Sequence, residues 1–134
     1  MGGNRRAIVY DDDHRILNLL ESFLSMKGYE VLCLSVPVVC PVFEDDEVQC
    51  LRESPCADII LTDYQMPGMN GMELMKRQSE KGCRIDIRNK ALISGFAAAL
   101  QTQVAEMGCA YFRKPFNLTE LWKWISSCEE RLPR

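Results

Sequence analysis

Apolar residues come in short unbroken runs that alternate along this chain with stretches of helical spacing. Residues 6–10, built on Ala7, Ile8, Val9 and Tyr10, read as a short buried strand. Ile16, Leu17, Leu20, Phe23 and Leu24 then recur at helical spacing, and Gly28 is a suitable stop. Tyr29–Leu34 gives a second strand and Ile59–Thr62 a third. Asn70 and Glu73 stand at capping-box spacing for a helix that carries Met72, Leu74 and Met75. Lys90–Ser94 is a fourth strand, with Ala91, Leu92 and Ile93 as its apolar run. Leu100, Val104 and Met107 mark a helix ended by Gly108, and Cys109–Phe112 is the fifth strand. Asn117 and Glu120 repeat the capping spacing before the final helix, whose apolar face is Leu118, Leu121, Trp122 and Ile125. The pattern is weakest between the second and third strands. Pro37 and Pro41 interrupt the β-prone stretch from Ser35 to Phe43, which reads as an edge segment or an irregular loop. Glu44–Glu53 is a weak helix that stops before Pro55, with Asp45, Asp46 and Glu47 as its solvated start.

Five βα units in this order predict an α/β fold, a parallel sheet covered by helices on both faces. Right-handed crossovers favour the flavodoxin-like, doubly wound, five-stranded sheet with strand order 2-1-3-4-5. At 134 residues the chain fits one domain, spanning 1–134 with its core at about 5–128. A net charge of −3 gives no electrostatic case for nucleic acid or an anionic membrane as a direct partner. No apolar run is long enough to span a bilayer and the start has no signal-peptide character, so a cytoplasmic location is expected. Seven cysteines with no C-x-x-C pair, and a single histidine, His14, make a zinc site unexpected. The thiols are expected to be reduced and mostly buried, with a redox pair among Cys40, Cys50 and Cys56 left open.

In such sheets, sites form beyond the carboxyl ends of the strands. Strand one delivers Asp11 and Asp12, strand three Asp63, strand four Ser94, and strand five Lys114 followed by Pro115. Three carboxylates at close range cannot all stay ionised without a cation, and Mg²⁺ suits a site of few carboxylates, waters and phosphate oxygens. An aspartate so placed can act as a nucleophile toward phosphorus. Lys114 and the cation would neutralise phosphoryl oxygens, and the Ser94 hydroxyl can donate to one of them.

With these residues placed, the chain resembles a response-regulator receiver domain of two-component signalling. The matching pieces are Val9-Tyr-Asp-Asp-Asp13, Leu61-Thr-Asp-Tyr-Gln-Met-Pro-Gly-Met-Asn-Gly71, Ala91-Leu-Ile-Ser-Gly95 and Tyr111-Phe-Arg-Lys-Pro-Phe116, in the family's order. The resemblance implies a phospho-accepting Asp63, metal-binding Asp11 and Asp12, and a metal contact from the Gln65 backbone carbonyl. It also implies the switch hydroxyl Ser94, the switch aromatic Tyr111, the phosphate-binding Lys114 and a cis bond before Pro115. Mg²⁺, or Mn²⁺ in its place, would be the cofactor. The implied partners are a histidine kinase or phosphotransfer protein and a downstream protein. Homodimerisation on phosphorylation stays open. Such a chain is a signalling receiver rather than an enzyme, catalysing only its own phosphoryl transfer and autodephosphorylation.

Other residues carry plainer readings. Asp13 reads as a helix N-cap, His14 as an exposed loop residue, Trp122 as core, and Trp124 as partly exposed. Met66, Met69, Met72 and Met75 read as packing. The chain departs from the family pattern in an extended segment near Ser35–Phe43, a shortened stretch from Ser94 to Lys114, and Gly95-Phe96 after the hydroxyl. The alternative is a phosphorylation-independent, receiver-like interaction module using the 35–43 segment. A third class, an aspartate-nucleophile phosphohydrolase, would want an acid/base carboxylate where Gln65 stands. Whether the chain acts alone or belongs to a longer protein is left open.

Overall fold

Both faces of every central strand are apolar, so the sheet must be covered on both sides. In the computed structural model, which describes residues 5–41, 50, 53–95 and 98–133, it is. The strands are β1 (Arg5–Tyr10), β2 (Tyr29–Leu34), β3 (Ile59–Asp63), β4 (Lys90–Ser94) and β5 (Ala110–Arg113). The described helices are α1 (His14–Met26), α2 (Gly71–Glu80), α3 (Ala98–Met107) and α4 (Leu118–Glu130), with a 3₁₀ turn over Ile87–Asn89. All pairings are parallel and the sheet order is β2-β1-β3-β4-β5, as the alternating pattern implied.

The two-residue period of the strands divides the core. Ala7, Val9, Ile59, Leu61, Ala91 and Ile93 point to one face, where Leu17, Leu20 and Leu24 of α1 and Leu121 and Ile125 of α4 cover them. Ile8, Tyr10, Ile60 and Leu92 point to the other, against Leu74, Met72 and Met75 of α2 and Leu100 and Val104 of α3. Helix ends follow the local chemistry of their caps. Asp13 accepts the Arg15 N–H, Asn70 and Glu73 form a reciprocal capping box, and Asn117 accepts the N–H groups of Thr119 and Glu120. Gly28 and Gly108 take positive φ just past α1 and α3, as helix-terminating glycines do.

The 35–41 segment is irregular, and its anchors explain why it is not a strand. The Tyr10 hydroxyl donates to the Val38 carbonyl at 2.7 Å, and the buried Gln78 amide donates to the Val39 carbonyl at 3.0 Å. Side chains from the core thus take the carbonyls that a ladder would have used. The weak helix expected over 44–53, and Phe96 beside the expected hydroxyl, fall largely or wholly outside the described residues.

Several expectations are adjusted, among them the third strand, which runs on to Asp63, and Trp122, which is half-buried rather than core. The fifth strand starts one residue later, at Ala110, and runs on to Arg113. His14 is exposed but is the first residue of α1, because the cap is Asp13 itself. The cysteines are thiols, yet only Cys109 and Cys128 are buried and the other five are half-buried, because they lie in loops, turns or an edge strand. Both tryptophans are half-buried: Trp122 packs edge-on to Phe23 under the Lys27 ammonium, and Trp124 edge-on to Phe112.

Tyr10→Phe removes the anchor at Val38 without opening a cavity. It is expected to cost about 1 kcal/mol in urea unfolding, the net worth of a part-buried hydrogen bond. An unchanged midpoint would show that the hydroxyl holds nothing.

Candidate functional site

The strand register decides which side chains meet. Tyr10 pairs with Thr62, Asp63 with Ile93, and Ser94 with Arg113, so Asp11 follows β1 in the same row as Asp63. Backbone bonds extend that alignment past the strand ends. The Asp11 N–H donates to the Leu34 carbonyl at 3.0 Å, Tyr64 to Ile93 at 2.9 Å, and Lys114 to Ser94 at 2.8 Å. Asp11, Asp63 and Ser94 are all buried at this rim, while Asp12 faces solvent.

Lys114 bridges two acids. Its Nζ lies 3.2 Å from Asp11 Oδ2 and 3.2 Å from Asp63 Oδ1. The other Asp11 oxygen accepts the Asp13 N–H at 2.8 Å, so the residue that caps α1 also orients the first acid. One ammonium does not satisfy this cluster. Burial, and then the Asp11 charge, push the Asp63 carboxyl up to about 6, against the pull of Lys114. Burial also raises Asp11, although the Asp13 N–H and Lys114 oppose it. For Lys114, burial opposes the charged form, but the Asp11 and Asp63 carboxylates outweigh it and raise the pKa.

Asp11, Asp12 and Asp63 each offer a carboxylate oxygen within 4.8 Å of the others. An octahedral Mg²⁺ holds its oxygens about 2.0–2.1 Å away, so closing this set on the ion takes only small side-chain movements. The donors are hard and anionic, and two of them resist ionisation without further positive charge. These residues therefore fit a hard divalent cation.

The remaining expected residues take their places by topology. Gln65 is exposed in the loop after β3. The Lys114–Pro115 bond is cis. Tyr111 pairs with Leu92 and packs, half-buried, against the cluster of Met72, Met75, Leu92 and Val104. Gly71 is a residue whose role the sequence pattern did not disclose. A Cβ there would lie 2.5 Å from the Asp63 carbonyl oxygen and 2.7 Å from Leu92 Cδ1. Only glycine lets the start of α2 sit directly on the end of β3, where its N–H donates to the Tyr64 carbonyl at 2.9 Å. The Pro67-Gly68 turn signalled a loop there, but the close approach arises from packing between elements distant in sequence.

Sheet order and acid–lysine rim together define a doubly wound α/β protein with an aspartate-centred acidic site that fits a divalent cation. A family model for the response regulator receiver domain matches residues 7–126, and the chain belongs to that family. It is 31% identical over 135 residues to the response regulator protein TodT of Pseudomonas putida, covering 98% of this chain and 55% of TodT. It is 30% identical over 126 residues to the transcriptional regulatory protein CrdR of Helicobacter pylori, covering 87% of this chain and 51% of CrdR. The chain thus spans about half the length of these curated relatives. Among solved structures it resembles a CheY-like receiver domain protein from Methanospirillum hungatei, with a TM-score of 0.72, 25% identity and 96% of both chains covered. The acidic pocket of Asp11, Asp12 and Asp63 matches the phospho-accepting site of receiver domains.

Two outcomes follow from this geometry. Because the folded Asp63 carboxyl holds its proton up to about pH 6, against 3.8 ordinarily, ionising it costs the metal-free fold stability. That cost is absent below about pH 4, grows as pH rises to about 6, and is complete above it. Asp63→Asn is therefore expected to stabilise the chelator-treated protein by about 3 kcal/mol at neutral pH, with the difference shrinking toward pH 4. Urea unfolding at both pH values checks this, and a destabilised variant at neutral pH would contradict it. Gly71→Ala is expected to destabilise by about 2 kcal/mol through overpacking and to weaken Mg²⁺ binding by displacing Asp63. Native stability and native Mg²⁺ affinity in that variant would show that the contact relaxes freely.

Proposed function

We propose that this chain is a single-domain phospho-accepting receiver in which Asp63 takes a phosphoryl group from a histidine kinase or a phosphotransfer protein. The observation that carries this reading is Lys114 placed 3.2 Å from Asp63, inside an acid set that fits one divalent cation. Asp63 Oδ1 is held toward Lys114, which leaves Oδ2 to attack phosphorus. The new P–O bond forms as the bond to the donor imidazole nitrogen breaks, and the imidazole departs with its electron pair. Lys114 keeps its charge throughout and balances a phosphoryl oxygen as negative charge accumulates there. Asp11, Asp12, Asp63 and the Gln65 carbonyl would hold Mg²⁺, or Mn²⁺, which would supply positive charge where the phosphoryl group arrives.

The Ser94 hydroxyl, at the buried end of β4, is the donor drawn toward the modified side chain. Tyr111, on the neighbouring strand and facing α2 and α3, is the aromatic that follows. Their movement would carry the change to the β4–α3–β5 surface, where a downstream protein reads it. Receiver domains are signalling domains, so the turnover proposed for this chain is limited to its own phosphorylation and dephosphorylation. A cytoplasmic location belongs to this proposal. No helix among the described residues is long and apolar enough to cross a membrane.

Acetyl phosphate with Mg²⁺ is expected to add one phosphoryl group, seen on a Phos-tag gel and by intact mass. Asp63→Asn and metal chelation should abolish the adduct, and Lys114→Ala should slow its formation by about 10²-fold, the usual loss of one charge-stabilising donor. An adduct that survives Asp63→Asn would refute the assignment. No adduct on the wild type would favour the interaction-module alternative.

A further inference from the structure

Four half-buried cysteines, Cys40, Cys50, Cys56 and Cys83, line one cavity of about 30 Å³ against Ile8 and Ile60, away from the acidic rim. Three separate stretches bring them together. Cys40 belongs to the 35–41 segment, which the Tyr10 hydroxyl and the Gln78 amide hold in place. Cys50 and Cys56 precede β3, and Cys83 lies in the turn after α2. The Cys50 N–H donates to the Lys81 carbonyl, which ties its backbone two residues from Cys83. On the inner side of Cys83, its Sγ accepts from the Lys90 ammonium at 3.4 Å. Lys90 is buried and also donates to Gln78 Oε1 at 2.8 Å.

Several sulfurs around one cavity can serve a soft metal or two-thiol chemistry. Among the described residues, the acids at the rim form the only group of three or more metal-ligating side chains within 4.8 Å of one another, so the sulfurs are not set as a metal cage. The cavity has room for a molecule of one or two heavy atoms. Hydrogen peroxide is an oxidant of that size.

We infer that Cys50 and Cys83 form a peroxide-oxidisable dithiol. The Cys83 sulfur attacks one oxygen of hydrogen peroxide and the O–O bond breaks. The leaving hydroxide takes a proton from the Lys90 ammonium, and the thiol proton returns to the amine. Water and a Cys83 sulfenic acid result. The Cys50 sulfur then attacks the Cys83 sulfur, the S–O bond breaks, and the hydroxyl leaves as water with the Cys50 proton. Two thiols lose two electrons and two protons, and one peroxide becomes two waters. The bond would clip the stretch before β3 to the end of α2.

The test treats this chain, 1–134, in dilute solution with hydrogen peroxide and reads intact mass and non-reducing peptide maps. A loss of about 2 Da in the monomer, reversed by dithiothreitol, with Cys50 and Cys83 peptides joined, is the expected result. Cys50→Ser and Cys83→Ser should each abolish the loss, while Cys33→Ser, outside the cavity, should leave it intact. A cross-link mapped to another pair, or oxygen addition without a cross-link, would overturn the assignment. So would an unchanged mass. Asp63→Asn should cross-link as the wild type does, so this result stands apart from phosphorylation.

Discussion

One ammonium shared between two buried carboxylates governs the rim of this protein. Lys114 touches both Asp11 and Asp63, and Asp12 stands beside them as a third acid. Three carboxylates against one lysine leave the site short of positive charge, and burial makes that shortage expensive. The raised pKa of Asp63 expresses it. A hard divalent cation would correct the imbalance and keep Asp63 ionised, as a nucleophile requires. The same ammonium then faces whatever anion Asp63 acquires. Attraction to a cation and readiness to accept a phosphoryl group thus share one electrostatic origin.

That arrangement depends on register more than on any side chain. Shifting β1 against β3 by one residue would turn Asp11 to the opposite face of the sheet, and the pair with Asp63 would vanish. Register is secured because both faces of these strands are packed, so no slip leaves the core satisfied. α2 adds a second constraint, since Gly71 brings its first turn onto the Asp63 carbonyl. The reactive side chain therefore projects from backbone that is fixed on all sides.

Much of this was legible along the chain because it is local. Apolar runs ending in acids marked the strand ends, and Asp13, Asn70 and Asn117 marked helix starts through the side-chain oxygens they offer. The acids, hydroxyl and lysine of the rim followed from strand order alone. What could not be read depends on contacts between distant segments. Nothing near Gly71 announces that Asp63 and Leu92 will crowd it. Nothing near Lys90 announces a fully buried ammonium, because a lysine opening a strand ordinarily points to water, and here Gln78 and Cys83 supply its partners. The half-buried state of the cysteines was hidden likewise, since Cys40, Cys50, Cys56 and Cys83 lie in segments without periodicity.

β1 and β3 border both chemistries through Ile8 and Ile60, and α2 does so end to end, with Gly71 against Asp63 and its far end beside the thiols. Ten helical residues span about 15 Å, so the ends are separate environments joined by a stiff rod. Met72, Leu74 and Met75 are buried along that rod, and moving it as a body would open cavities on the α2 face of the sheet. The proposed disulfide at the far end would constrain loops and a turn, which yield more readily than a packed helix. Phosphoryl acceptance and thiol oxidation are therefore expected to act independently on this scaffold, one through the strand ends and the other through the segments before β3 and after α2. Coupling between them through α2 would require that helix to have a second packed position, and Gly71 has no space on the Asp63 side in which to take one.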